Sequence, residues 1–115
     1  MDKILLRSDQ NEIAILTLNS PKNLNALSEA MLEALKLNLE EIEKSKKIKS
    51  VIIKASGRAF CPGHDLKEMQ ENRDLQNDGG KAYFEKLLSK CTHVMKLIRN
   101  LPQPVIAEVQ GVAAA

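Results

Sequence analysis

The sequence predicts an α/β fold, and three observations carry that expectation. Ile13-Ala14-Ile15-Leu16-Thr17-Leu18 is dense in strand formers and runs into a turn-type cluster, Asn19-Ser20-Pro21-Lys22-Asn23. Met31, Leu32, Leu35, Leu39 and Ile42 recur at helical spacing behind Ser28, a residue suited to capping a helix. Val51-Ile52-Ile53 is a continuous apolar run, the mark of a strand covered on both faces. Strand, helix and strand in that order imply a right-handed parallel crossover.

Along the chain, a first, weaker strand is expected over residues 4–7, followed by the strand over 13–18. The first helix is expected over 28–45, with Glu29 in its opening turn and lysines at its exit. A strand over 51–55 ends where Gly57-Arg58 turns the chain away, and a short helix starts at Asp65. Past the polar stretch ending in Asn77-Asp78-Gly79-Gly80, a second long helix over 81–100 is written by Phe84, Leu87, Leu88, Cys91, Val94, Met95 and Ile98. Pro102 and Pro104 forbid its continuation. Val105-Ile106-Ala107-Glu108-Val109 reads as a strand over 105–109, parallel to 51–55. The small apolar run Gly111-Val112-Ala113-Ala114-Ala115 reads as the start of a buried helix that continues in a longer chain. There are no repeats and no low-complexity tract.

With 43% apolar and 28% charged residues in 115, the composition is that of a soluble single domain. Its 17 Lys+Arg against 15 Asp+Glu leave a net charge of +2, too little to argue for a polyanionic partner. No apolar run reaches membrane-spanning length, and MDKILLRSDQ resembles neither a signal nor a transit peptide, so a cytoplasmic location is expected. Cys61 and Cys91 form no C-x-x-C pair and no metal quartet; both are expected to be buried as small hydrophobes, without a disulfide and without a metal.

The chemistry is expected in Gly57-Arg58-Ala59-Phe60-Cys61-Pro62-Gly63-His64-Asp65-Leu66-Lys67-Glu68-Met69, which leaves a buried strand and opens a helix. Ligands of open α/β sheets gather at such carboxyl ends of strands. Gly63 lets the backbone approach a ligand, and amides at a helix start are free to receive an anion. On spacing alone, a Gly-containing connection with Asp65 as a plain N-cap explains the string better, because Gly before Asp at a helix start is common.

F-C-P-G-H-D-L-K-E-M resembles the motif of the crotonase superfamily, the enoyl-CoA hydratases and isomerases. So do A-I-L-T-L-N-S-P-K-N-L-N-A-L-S, V-I-I-K-A-S-G-R-A-F and L-P-Q-P-V-I-A-E-V-Q-G-V-A-A-A, in order over nearly the whole chain. The resemblance implies a spiral of ββα units, of which residues 1–115 are the N-terminal portion, ending before the Gly-rich segment that supplies the second oxyanion donor. It implies an acyl-CoA thioester as partner, coenzyme A as part of the substrate with no separate cofactor, and a homotrimer or dimer of trimers at full length. The backbone N–H of His64 then holds the thioester oxygen as it becomes an enolate. Gly63, His64, Asp65, Leu66 and Lys67 match coenzyme-binding positions, and Lys22, Asn23 and Leu24 border the coenzyme as lesser candidates.

The expected reaction is hydration of a 2-enoyl-CoA; double-bond isomerisation and a non-catalytic shortened form are the alternatives. No acid/base glutamate of the family falls within these residues. Asp65 and Glu68, at i and i+3, suit capping and dipole compensation better than acid/base work. The imidazole of His64 is expected to face solvent or coenzyme, and His93 to be a core or surface residue without a ligand. The motif usually has Ala or Ser where this chain has Pro62, which stiffens the loop without removing the donor. The Gly-His-Asp-Leu-Lys-Glu version is similar to hydratase-domain relatives, some of which lack a standard glutamate. RNA binding, known in one branch through lysines along the first helix, is not expected: the matching face carries Glu29, Glu33 and Leu37. Lys44, Lys46, Lys47 and Lys49 fit a solvated helix exit.

Overall fold

A computed structural model describes residues 3–75 and 77–114. Strand β1 (Leu5–Gln10) pairs antiparallel with β2 (Ile13–Leu18) through a tight turn at Asn11 and Glu12, both at positive φ. Helix α1 (Glu29–Lys44) then crosses over to β3 (Ser50–Ala55), which lies parallel to β2 with Leu16 opposite Ile53. Short β4 (Ala59–Cys61) and helix α2 (Leu66–Leu75) follow, so strand, strand, helix occurs twice in succession, as the expected spiral of ββα units requires. Helix α3 (Lys81–Asn100) leads to β5 (Val105–Ala107) and β6 (Val112–Ala113). The main sheet has the order β1-β2-β3-β5, and β4 pairs with β6 in a second sheet. The expected parallel pairing of 51–55 with the later strand is present, with Val51, Ile52 and Ile53 opposite Val105, Ile106 and Ala107.

All five residues that wrote the first helix, Met31, Leu32, Leu35, Leu39 and Ile42, are buried. They pack with Leu87, Val94 and Leu97 of α3 against Ala14, Leu16, Val51 and Ile53 of the sheet. Ser28 caps α1, its Oγ accepting from the Met31 N–H at 3.1 Å. Ser28→Ala is expected to cost about 1 kcal/mol, read as a lower urea midpoint at unchanged slope. Gln103, wholly unremarked in the sequence, is buried, and its Nε2 donates to the carbonyls of Ile42 at 2.8 Å and Ile48 at 3.2 Å. It thereby adds a second donor to the Ile42 carbonyl, which already accepts from the Ser45 N–H, and ties the exit of α1 to the Ile48 carbonyl ahead of β3.

Several expectations need correction. β1 covers 5–10 rather than 4–7, because the hairpin pairing carries it up to the turn. β3 alternates between buried and half-buried residues instead of being covered on both faces, since α1 and α3 pack on one face. The strand expected over 105–109 ends at Ala107, after which Gln110 reaches toward β4 and donates to the Ala59 carbonyl at 3.1 Å. Residues 111–114 do not begin a helix: Val112 and Ala113 form β6, exposed, and the Ala114 N–H donates to Cys61 O at 2.9 Å. Gly111 serves close strand packing, as a Cβ there would collide with the Arg58 carbonyl oxygen. Ala115 lies outside the described residues. On α3, Leu88 and Met95 are exposed although the helical pattern assigned them to the core. Cys61 and Cys91 are free and only half-buried, packed against the core, and burial raises both thiol pKa values.

Candidate functional site

The loop from β4 to α2 lies against the segment between β2 and α1. Gly63 has φ +107°, which a side chain would resist, and its carbonyl accepts from the Leu27 N–H at 2.7 Å. Leu27 and His64 form a parallel bridge, so the motif loop is tied to the approach of α1 just before its Ser28 cap. Asp65 opens α2: its Oδ1 accepts from the Glu68 N–H at 3.0 Å and its carbonyl from the Met69 N–H at 3.0 Å. The amides of His64, Leu66 and Lys67 have no acceptor among the described residues. They form a short row of free donors at a helix start, a place suited to an anion or to developing negative charge.

The sequence candidates therefore fall in one place only in part. Asn23 follows Pro21 and Lys22 in a 3-10 turn, and its Nδ2 lies 3.4 Å from Asp65 Oδ2, which puts the 22–24 segment beside the motif loop. Leu24 caps that turn at φ +59°. Lys22 and Lys67 make no ion pair among the described residues, leaving both ammonium groups available to a ligand's phosphates. The His64 ring was expected to face solvent or coenzyme; its Nδ1 is buried without a partner among the described residues. His93 is a surface residue, its Nε2 3.5 Å from Glu40. The four lysines at the exit of α1 are exposed, in keeping with a solvated helix end.

Two residues hold the site together in ways the sequence did not show. Asn25 is fully buried at φ +62°; its Nδ2 donates to Ser56 O at 2.8 Å and Ala59 O at 3.0 Å, and its Oδ1 accepts from the Ser20 N–H at 2.7 Å. Glu68 was expected to serve its own helix, yet its Oε1 accepts from the Glu29 N–H of α1 at 2.9 Å and from the Tyr83 hydroxyl of α3 at 3.4 Å. Burial first, and then the Glu68 charge, push the Tyr83 phenol up to about 12. The signal available for Asn25 was a second asparagine just before a helix cap, a residue type that tolerates left-handed backbone.

Behind the loop, Leu18, Leu27, Leu35, Phe60, Cys61 and Ile98 line an apolar cavity of about 290 Å³, suited to hydrocarbon and not to charge.

A sequence model described as enoyl-CoA hydratase/isomerase matches residues 13–114. Human enoyl-CoA hydratase domain-containing protein 3, mitochondrial, is 43% identical over 100 residues, covering 87% of this chain and 31% of that protein. Its mouse counterpart is 39% identical over 106 residues, covering 92% and 33% respectively. The crystal structure of an enoyl-CoA hydratase from Mycobacterium smegmatis superposes with a TM-score of 0.85 at 44% identity, over 94% of this chain and 40% of that one. The chain thus spans about a third of the length of these curated relatives. Its architecture is that of the N-terminal portion of their fold. The human and mouse relatives are named as mitochondrial, which overturns the expected cytoplasmic location. That expectation rested on the first ten residues and on the lack of a long apolar run, weak signals for where a protein resides.

Proposed function

The chain belongs to the enoyl-CoA hydratase/isomerase family, and from that premise we propose that it is the part of an acyl-CoA-binding hydratase that grips the thioester. The observation that carries this reading is the His64 N–H beside Gly63, which, with the Leu66 and Lys67 amides after it, has no acceptor among the described residues. A thioester carbonyl oxygen placed there gains a preorganised donor as negative charge develops on it. Gly63, Asp65, Leu66 and Lys67, with Lys22, Asn23 and Leu24 beside them, border the coenzyme A moiety. That moiety is the handle of the substrate and no other cofactor is called for.

In this reading, hydration of a 2-enoyl-CoA proceeds through an enolate held partly by His64. Residues 1–115 supply one oxyanion donor and no acid/base carboxylate pair; prepared alone, they bind without turning substrate over. Asp65 and Glu68 are left out of the acid/base work, a reading supported by the engagement of both carboxylates with backbone amides.

Titration calorimetry with crotonyl-CoA tests the reading. Saturable binding is expected, competed by free coenzyme A and much weakened for a crotonyl thioester that lacks the nucleotide. Absence of binding by the folded protein would remove the assignment.

A further inference from the structure

Helix α2 has no buried residue, and Leu66 and Leu75 at its two ends are 75% and 79% exposed. Met69 is the α2 side chain that packs, half-buried, against the core, so apolar burial fixes the helix only weakly and polar contacts must do more of it. Those contacts converge on its first turn. Asp65 caps it, Asn23 reaches Asp65 from the 3-10 turn, and the Glu68 carboxylate bonds both the first amide of α1 and the Tyr83 hydroxyl of α3. A carboxylate at the N-terminus of α1 is also favoured by the helix dipole. Gly63 and His64 run directly into this turn, so the direction of the His64 N–H follows from where the turn is held.

We propose that Glu68 is a positioning residue for the thioester-binding loop: its carboxylate clamps the first turn of α2 to the start of α1 and to Tyr83, and so aims the His64 N–H. The inference rests on the thioester-binding reading for its functional consequence, but the clamp itself can be tested without it. Glu68→Gln keeps an oxygen that can accept from the Glu29 N–H and from Tyr83, whereas Glu68→Ala removes the clamp. Tyr83→Phe deletes only the hydroxyl and cannot create a folding defect of the same kind.

The chain has one tyrosine and no tryptophan, so phenolate absorbance reports Tyr83 alone. In the wild type it should appear near pH 12, and in both Glu68 variants at a lower pH, because the nearby anion is gone while burial still holds the phenol above its ordinary value. Backbone resonances of His64 and Leu66 should move in Glu68→Ala and stay close to wild type in Glu68→Gln. Crotonyl-CoA affinity should fall about tenfold in Glu68→Ala, the worth of one charge-assisted hydrogen bond, and less than about threefold in Glu68→Gln. Tyr83→Phe should lie between the two. Unchanged His64 and Leu66 resonances in Glu68→Ala would overturn the clamp, whether or not thermal stability drops. Moved resonances with wild-type affinity would overturn the positioning role. If the wild type binds no thioester, the functional reading fails while the resonances still decide the clamp.

Discussion

In an active, longer form of the protein, His64→Pro is expected to lower kcat by about a hundred- to a thousandfold, the usual cost of losing one oxyanion donor. His64→Ala keeps the N–H and is expected to retain most turnover. The contrast follows from the geometry: the His64 amide has no acceptor among the described residues, so no fold contact is lost with its proton. The loop is instead tied down through the Gly63 carbonyl and the Asp65 carboxylate, which both variants preserve. His64→Ala also removes a buried nitrogen without a partner, a change that favours folding. Proline restricts the residue before it, and Gly63 at φ +107° is the residue affected. Coenzyme affinity and thermal stability measured alongside kcat separate loss of the donor from distortion of the loop. Loss of activity in a folded, thioester-binding His64→Ala would make the imidazole a participant and end the assignment to the backbone.

What the sequence made legible were features written locally. The five buried residues of α1 follow from helical spacing, and the β2-α1-β3 crossover follows from two apolar strands flanking that helix. The Gly63 to Lys67 loop was legible as a strand-to-helix connection, and the resemblance gave it a role. What stayed hidden depends on partners far along the chain. β4 and β6 are too short to carry a period, and they exist because Ala59 meets Val112 across about fifty intervening residues. Glu68 serves α1 rather than its own helix because the fold brings Glu29 to it. Gln103 reads as a linker residue between two prolines until the fold sets its side-chain amide against the Ile42 and Ile48 carbonyls.

Asn25 is the hidden residue with the largest expected effect on stability. Asn25→Ala is expected to destabilise the protein by about 3 kcal/mol, because it leaves the half-buried Ser20 N–H and the Ser56 carbonyl without partners, takes from the Ala59 carbonyl one of its two donors (Gln110 remains), and forces Ala into the left-handed region. The groups concerned are the Ser20 N–H and the carbonyls of Ser56 and Ala59, which lie on the approach to α1 and on the β3-to-β4 connection. Asn25 therefore staples together the two segments that form the candidate site. Asn25→Gly separates the causes, since glycine adopts φ +62° freely yet makes none of the hydrogen bonds. It should recover about 1 kcal/mol relative to Ala, and the remaining loss measures the hydrogen bonds. Asn25→Asp should be at least as damaging as Ala: its oxygen can still accept from Ser20, but it sets a carboxylate against two carbonyl oxygens in a buried place. Urea denaturation of the four proteins reads these differences directly. If Asn25→Ala lies within about 1 kcal/mol of wild type, the exposed backbone groups have found other partners, and the loop is held by the Gly63 and Asp65 contacts instead.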